Sequence, residues 1–187
     1  MVYKIGLCYG DAIGPEITKA TEVVMKAAVK KVGVEVEWPV YPMGWEGIEK
    51  YGDPVPQVTK DGLATCHGWV FAPHDSAAYP EEQFRKLNPS GEMRHYFDLY
   101  ANKRPAQVYP GEARKKSHVG DDVDIVVYRE NTEGFLPDRN MFKGYGEVMP
   151  NPDMVLSTSV ITRQGTERVA REAFKTAMKR KKHLTIV

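Results

Sequence analysis

The chain opens on an apolar segment, residues 3–9, that runs directly into Gly10-Asp11-Ala12-Ile13-Gly14-Pro15-Glu16. A buried strand stopped by two glycines and a proline leaves few folds open. Proline suits the first position of a helix, where its missing N–H would have no partner anyway. Beyond it Ile17, Ala20, Val24, Ala27 and Ala28 recur at helical spacing up to about Lys31. Residues 34–40 read as a second strand, 44–51 and 57–64 as short helices, and 68–73 as a third strand. This alternation indicates an α/β sheet.

The remainder is less regular. Residues 73–90 are rich in proline, serine, alanine and charge, and form a long loop of the kind that often carries function. A short helix is expected over 91–99 and a strand interior to a sheet over 123–129. Glycine and proline in 131–153 suggest an extended arm, followed by a strand over 154–161. Thr162 caps a last helix with Val169, Ala170, Ala173, Phe174, Ala177 and Met178 on one apolar face. The run Lys179-Arg180-Lys181-Lys182 closes it as a solvated helix end, a nuclear signal or an acidic-partner patch, and 184–187 start another strand.

Composition excludes several classes. Lys and Arg total 26 against 25 Asp and Glu, so nothing pulls the chain generally toward nucleic acid. Two cysteines, Cys8 and Cys66, give no disulfide framework and fit a reducing compartment such as the cytoplasm. Apolar runs such as 69–72 are too short to span a bilayer, and the first residues lack a signal-peptide pattern. The histidines, His67, His74, His95, His118 and His183, have no metal-ligand spacing and read as solvated or locally bonded.

Three places could carry chemistry. Arg94, Arg104 and Arg129 stand near strands or a helix, and converging guanidinium forks would suit a substrate with two or three carboxylates. Spacing alone serves surface or salt-bridged arginines as well. The glycine turn at 10–16 could face a phosphate or carboxylate through its backbone N–H groups, or be only a tight turn. Arg129-Glu130-Asn131-Thr132-Glu133-Gly134 sets a cation, two carboxylates and an amide at a strand end, as a site or as a cap.

Taken in order, these segments resemble the isocitrate/isopropylmalate dehydrogenase family, the β-decarboxylating dehydrogenases. The matching pieces are the glycine turn, Leu87-Asn88-Pro89-Ser90-Gly91-Glu92-Met93-Arg94, Asp98-Leu99-Tyr100-Ala101-Asn102-Lys103-Arg104-Pro105, the 129–134 motif, Glu167-Arg168-Val169-Ala170-Arg171, and Arg180-Lys181-Lys182-His183. The resemblance implies a two-domain α/β fold, here incomplete at its C-terminal end. Residues 1–98 would belong to the large domain and 99–187 to the small one, with an arm near 135–153. It implies that Arg94, Arg104 and Arg129 grip the substrate's carboxylates and that Ile13 and Gly14 lie near the nicotinamide. It further implies oxidation of a 2-hydroxy acid with NAD or NADP, loss of carbon dioxide, a Mg²⁺ or Mn²⁺ ion as Lewis acid, and a homodimer or a complete partner subunit. In isopropylmalate-type members leucines face the alkyl group. Here Asn88 and Ser90 stand in that stretch, so a more polar substituent is expected, as in isocitrate or tartrate-like acids.

Two departures weigh against autonomous turnover. At the family's catalytic tyrosine position, seven residues beyond Arg129, stands Leu136, which has no proton to give. The resemblance also covers only the N-terminal half of a family chain, without the catalytic lysine and the metal-binding aspartates that follow. Three readings result: the N-terminal part of a dehydrogenase, inactive by itself; a non-catalytic relative that binds anions or pairs with another subunit; or a non-functional fragment.

Overall fold

The computed structural model describes residues 2–80, 88–109, 111, 123–135 and 146–187. The chain divides into two compact units, Met1–Met93 and Arg94–Val187.

The first unit is built on a parallel sheet. β1 (Tyr3–Cys8) lies between β2 (Val36–Glu37) and β3 (Gly68–Phe71), with Tyr3 opposite Val36 and Cys8 opposite Phe71. β2 is shorter than the expected 34–40. Pro39 has no N–H to extend the ladder, and Val40 rejoins only as an isolated bridge to Leu7. Helix α1 (Gly14–Val32) starts at the Gly14-Pro15 step and stops at Gly33, which adopts φ +70°. Helices α2 (Trp45–Tyr51) and α3 (Gln57–Ala64) follow as expected. Leu7, Met43, Val55, Leu63 and Met93 form the core, each contributing about 1.5–3 kcal/mol by burial.

The inward residues of α1 are Gly14 and Thr18. The apolar series Ile17, Ala20, Val24, Ala27 and Ala28 faces outward and is exposed, Val24 by 68%. The small residues bring the helix close to the loop after β3, and the apolar stripe is left on its far side.

After β3 comes a 3-10 turn, Ser76–Ala78. The rest of the expected loop, 81–87, lies outside the described residues. Helix α4 (Pro89–Tyr96) begins earlier than the expected residue 91, because the Asn88 Oδ1 accepts a hydrogen bond from the Gly91 N–H at 2.8 Å and caps it. It also ends earlier, as Asp98 turns left-handed at φ +47°. Lys60 on α3 pairs with Glu92 on α4.

The second unit pairs β4 (Ala101–Gln107) with β5 (Asp124–Glu130), antiparallel, Asn102 opposite Arg129 and Arg104 opposite Val127. β4 is not legible in the sequence: Lys103, Arg104 and Pro105 lack a strand's apolar alternation, and proline is confined to edge strands. Among the described residues β5 is not the interior strand expected. Among the described residues it pairs with β4 alone, Tyr128 turns inward, and Ile125 and Val127 are about half exposed on the opposite face. Helix α5 (Arg163–Met178) packs on the inward face, where the Tyr128 and Thr176 hydroxyls meet at 2.6 Å. Phe174 and Met178 of the expected apolar face remain exposed.

Thr162 caps α5 as expected. Its Oγ1 accepts from the Gly165 N–H at 3.0 Å and donates to Glu133 Oε2 at 2.8 Å. Thr162→Ala is expected to cost about 1 kcal/mol, read as a lower urea midpoint at unchanged slope; an unchanged midpoint would show the cap idle.

Part of the expected arm is a hairpin, β6 (Glu147–Asn151) and β7 (Met154–Ser157), turned at Pro152-Asp153. Residues 136–145 of that arm, with Leu136, lie outside the described residues. Residues 184–187 form no strand, since no described strand pairs with them.

Candidate functional site

In the first unit the glycine turn is organised by a buried carboxylate. Asp11 Oδ1 accepts from the Trp45 N–H at 2.8 Å, and Oδ2 accepts from the Asp75 N–H at 3.2 Å and the Tyr79 hydroxyl at 2.5 Å. Its own N–H donates to the Pro73 carbonyl and its carbonyl accepts from Gly14. One side chain thus joins the turn, the start of α2 and the loop after β3. Gly44 (φ +71°) lies so close that a Cβ there would collide with the Asp11 carboxylate. Burial, and then the bond to Asp11, raise the Tyr79 phenol well above its ordinary pKa, so it stays a donor.

Gly14 is buried and Ile13 is 61% exposed. No side chain caps the start of α1 there. Glu16, acidic in the first turn, makes the same place a poor phosphate cradle.

A cavity of about 280 Å³ opens beside this loop, lined among others by Phe71, His74, Ser76, Asn88 and Ser90. Asn88 and Ser90 therefore share one cavity. The Oδ1 of Asn88 is taken by the α4 cap, which leaves its amide N–H groups as donors. Phe71 stacks on His74 at 4.7 Å between ring centres. Burial holds the His74 imidazole below its ordinary pKa, against the opposing pull of the Asp11 carboxylate and a bond to the Ala72 carbonyl.

In the second unit the strand register settles two of the three arginines. Asn102, Arg104 and Arg129 fall on the face of β4–β5 opposite Tyr128, with the arginines as diagonal neighbours. Arg104 Nε donates to Asn102 Oδ1 at 3.0 Å; Asn102 reaches Asn131 at 3.5 Å, and buried Asn131 donates to the Leu99 carbonyl at 3.0 Å. A side-chain relay thus aims Arg104. Arg94 stands in the last turn of α4, where its carbonyl accepts from the Leu99 N–H at 2.8 Å.

The 129–134 motif divides its labour. Arg129 lies on the exposed face, whereas Glu130 and Glu133 serve the backbone. Glu130 accepts from the Thr132 hydroxyl and from the N–H groups of Thr132 and Glu133, at 2.6–2.7 Å. Glu133 accepts from the Thr162 N–H and hydroxyl, both at 2.8 Å. Arg168 ties the motif to Asp98 with contacts of 2.7 and 2.8 Å, donates to the Thr132 hydroxyl at 2.7 Å, and stacks over Tyr100.

Desolvation pushes the Glu130 carboxyl upward, but the bonds from Thr132, Glu133 and Asn131 outweigh it and hold the pKa below the ordinary 4.5. A depressed carboxyl contributes stability that is fully present above its unfolded pKa and is lost as pH falls through the folded value. The wild type is therefore expected to lose more stability than Glu130→Gln as pH drops below about 4.5. Urea midpoints that fall in parallel for both proteins would refute this.

The buried Cys8 thiol is pushed up to about 12, by burial first and Cys66 second, and is no nucleophile. Among the described residues no three His, Cys, Asp or Glu side chains gather as metal ligands. No described helix is long and apolar enough to cross a membrane.

Sequence pattern gives Asp11, Tyr79 and Arg168 no individual role, and His74 only solvation or a local bond. A buried-looking Asp inside the glycine turn was the available signal, but its partners lie 34 to 68 residues away.

Comparison with known proteins adds the following. The family model described as isocitrate/isopropylmalate dehydrogenase matches residues 4–187. A 3-isopropylmalate dehydrogenase of Bacteroides fragilis is 31% identical over 100% of this chain and 52% of its own length. An isocitrate/homoisocitrate dehydrogenase of Thermus thermophilus is 31% identical over 95% of this chain and 47% of its own. The crystal structure of isocitrate dehydrogenase from Methylococcus capsulatus superposes with a TM-score of 0.69 at 30% identity, covering 95% of this chain and 48% of that one. The chain thus spans about half the length of these relatives.

Proposed function

Since the chain belongs to the isocitrate/isopropylmalate dehydrogenase family, we propose that it supplies the acid-binding part of an NAD(P)-linked oxidative decarboxylase of a 2-hydroxy di- or tricarboxylic acid. The observation that carries this is the common face of Arg104 and Arg129, with Arg104 aimed by Asn102. Two guanidinium forks on one face, with Arg94 as a third, hold the acid's carboxylates by two-point contacts. Asn88 and Ser90 receive the remaining substituent. Ile13 and Gly14 flank the nicotinamide ring of NAD or NADP. When bound, that cofactor accepts the hydride from the hydroxyl-bearing carbon, and the carbon–carbon bond to the β-carboxylate then breaks to release carbon dioxide. The described residues provide no donor set for a divalent ion, and no step assigned to them runs through one. Residues 1–98 are assigned to the family's large domain and 99–187 to its small one; a division of the chain nearby, between Met93 and Arg94, supports this.

The hairpin β6–β7 exposes Val148, Met149, Val155 and Leu156. Apolar side chains displayed along a two-stranded hairpin support a homodimer or a partner subunit there. The protein works in a reducing compartment, the cytoplasm.

The test is NAD⁺ and NADP⁺ reduction, with carbon dioxide release, by malate, tartrate, isocitrate and 3-isopropylmalate, using the protein as its source makes it. One cofactor reduced in step with carbon dioxide is expected. Acid binding without reduction of either cofactor would replace this reading by a non-catalytic anion-binding relative.

A further inference from the structure

A grip made of several guanidinium groups works only if they stand in fixed positions, since a misplacement of about 1 Å forfeits much of a two-point contact. Arg104 and Arg129 are fixed by backbone: one ladder runs the length of β4 and β5 and makes them neighbours. Arg94 stands on a different element, in the last turn of α4, joined to β4 by residues 97–100. We propose that Arg168, a fourth arginine, is the positioning residue that holds this link and so sets Arg94 against Arg104 and Arg129, without itself binding the acid. The inference rests on the three-arginine reading of the acid site.

The link turns sharply at Asp98, whose φ is +47°. That left-handed conformation is unfavourable for a residue with a side chain, although Asp and Asn bear it best. Arg168 holds it from outside. Its Nη1 donates to both Asp98 carboxylate oxygens, at 2.7 and 2.8 Å, and its guanidinium lies 4.7 Å over the centre of the Tyr100 ring. Its Nη2 donates to the Thr132 hydroxyl at 2.7 Å and stands 3.7 Å from a Glu130 carboxylate oxygen. One side chain thus spans the turn after α4, the residue before β4 and the motif that follows Arg129. Leu99 completes the tie, its N–H donating to the Arg94 carbonyl and its own carbonyl accepting from Asn131. The same contacts keep Arg168 from the acid. Both terminal nitrogens are engaged, two carboxylates offset its charge, and Nε is buried. Stability does not account for the arrangement. The Asp98 side chain is 64% exposed, and exposed pairs contribute little, while the buried Nε lacks a hydrogen-bond partner, which is a cost. What the clamp gains is geometry.

The experiment is a double-mutant cycle, read by calorimetric titration with malate, tartrate, isocitrate and 3-isopropylmalate beside urea unfolding of each variant. Arg168→Lys keeps the charge and loses the fork. It is expected to weaken the tightest-bound of these acids by about tenfold. That loss should nearly vanish in the Arg94→Met background and persist in the Arg104→Met background. Asp98→Asn keeps the left-handed turn and removes the charge, so it should show the same dependence on Arg94 at an unchanged urea midpoint. Where the acid is oxidised, both variants should raise KM and leave kcat nearly unchanged. A loss of equal size with and without Arg94, or wild-type binding in Asp98→Asn, overturns the proposal while the dehydrogenase reading stands. Coupling to Arg94 in acid binding, with neither NAD⁺ nor NADP⁺ reduced, upholds the positioning role and fails the dehydrogenase reading. If none of the four acids binds, there is no acid site to position and both fall.

Discussion

Replacing Asp11 by alanine is expected to destabilise the protein by about 3–5 kcal/mol, because it strips an acceptor from three donors at once. The Trp45 and Asp75 N–H groups and the Tyr79 hydroxyl all end on this one carboxylate. An unsatisfied buried donor costs about 1–3 kcal/mol, and water entering the gap recovers only part of it. For a chain of this size the thermal midpoint would fall by roughly 10 °C. Tyr79→Phe removes one donor and leaves the other two bonds intact, so it should cost only about 1.5–3 kcal/mol. The two losses should not add: in the Tyr79→Phe background Asp11→Ala has one donor fewer to orphan. Additive losses, or an Asp11→Ala protein within about 1 kcal/mol of wild type, would mean that the carboxylate is not the tie between turn, α2 and loop.

Asp11 also shows where sequence reading stops. The glycine turn around it was legible because Gly14-Pro15 acts locally: one residue allows close approach and the next has no N–H to lose. The same holds for Thr162, whose cap bond reaches only three residues ahead. The partners of Asp11 lie up to 68 positions along the chain, and no spacing rule reports them. Register is the other illegible quantity. Arg104 and Arg129 were visible as arginines, but their common face follows from Asn102 pairing with Arg129 across a gap that ends one strand and starts another. β4 itself was hidden by Lys103, Arg104 and Pro105, residues chosen for an exposed face rather than for strand propensity. Apolar patterning, finally, predicts what would be buried with a partner. Val24 on α1, Val127 on β5 and Phe174 on α5 follow the expected periodicities and are nonetheless exposed.

That common face leads to the second large effect. Arg129→Met should lower kcat/KM for the oxidised acid by about 100- to 1000-fold, since losing a charge-assisted two-point contact costs about 2–4 kcal/mol. Arg129 is exposed on the outward face of β5. Arg104→Met should cost a similar factor, but Asn102→Ala should do part of the same damage without touching the acid, by releasing the Nε bond that aims Arg104. The positioning role predicts a specific split. Arg104→Lys keeps the charge and loses the fork, so it should raise KM more than it lowers kcat, and Asn102→Ala should be nearly silent in the Arg104→Met background. Stability should hardly change in Arg129→Met, because the side chain lies on the outward face of β5. If Arg129→Met lost stability and activity together, its role would be structural, and acid binding would have to be carried by Arg94 and Arg104 without it.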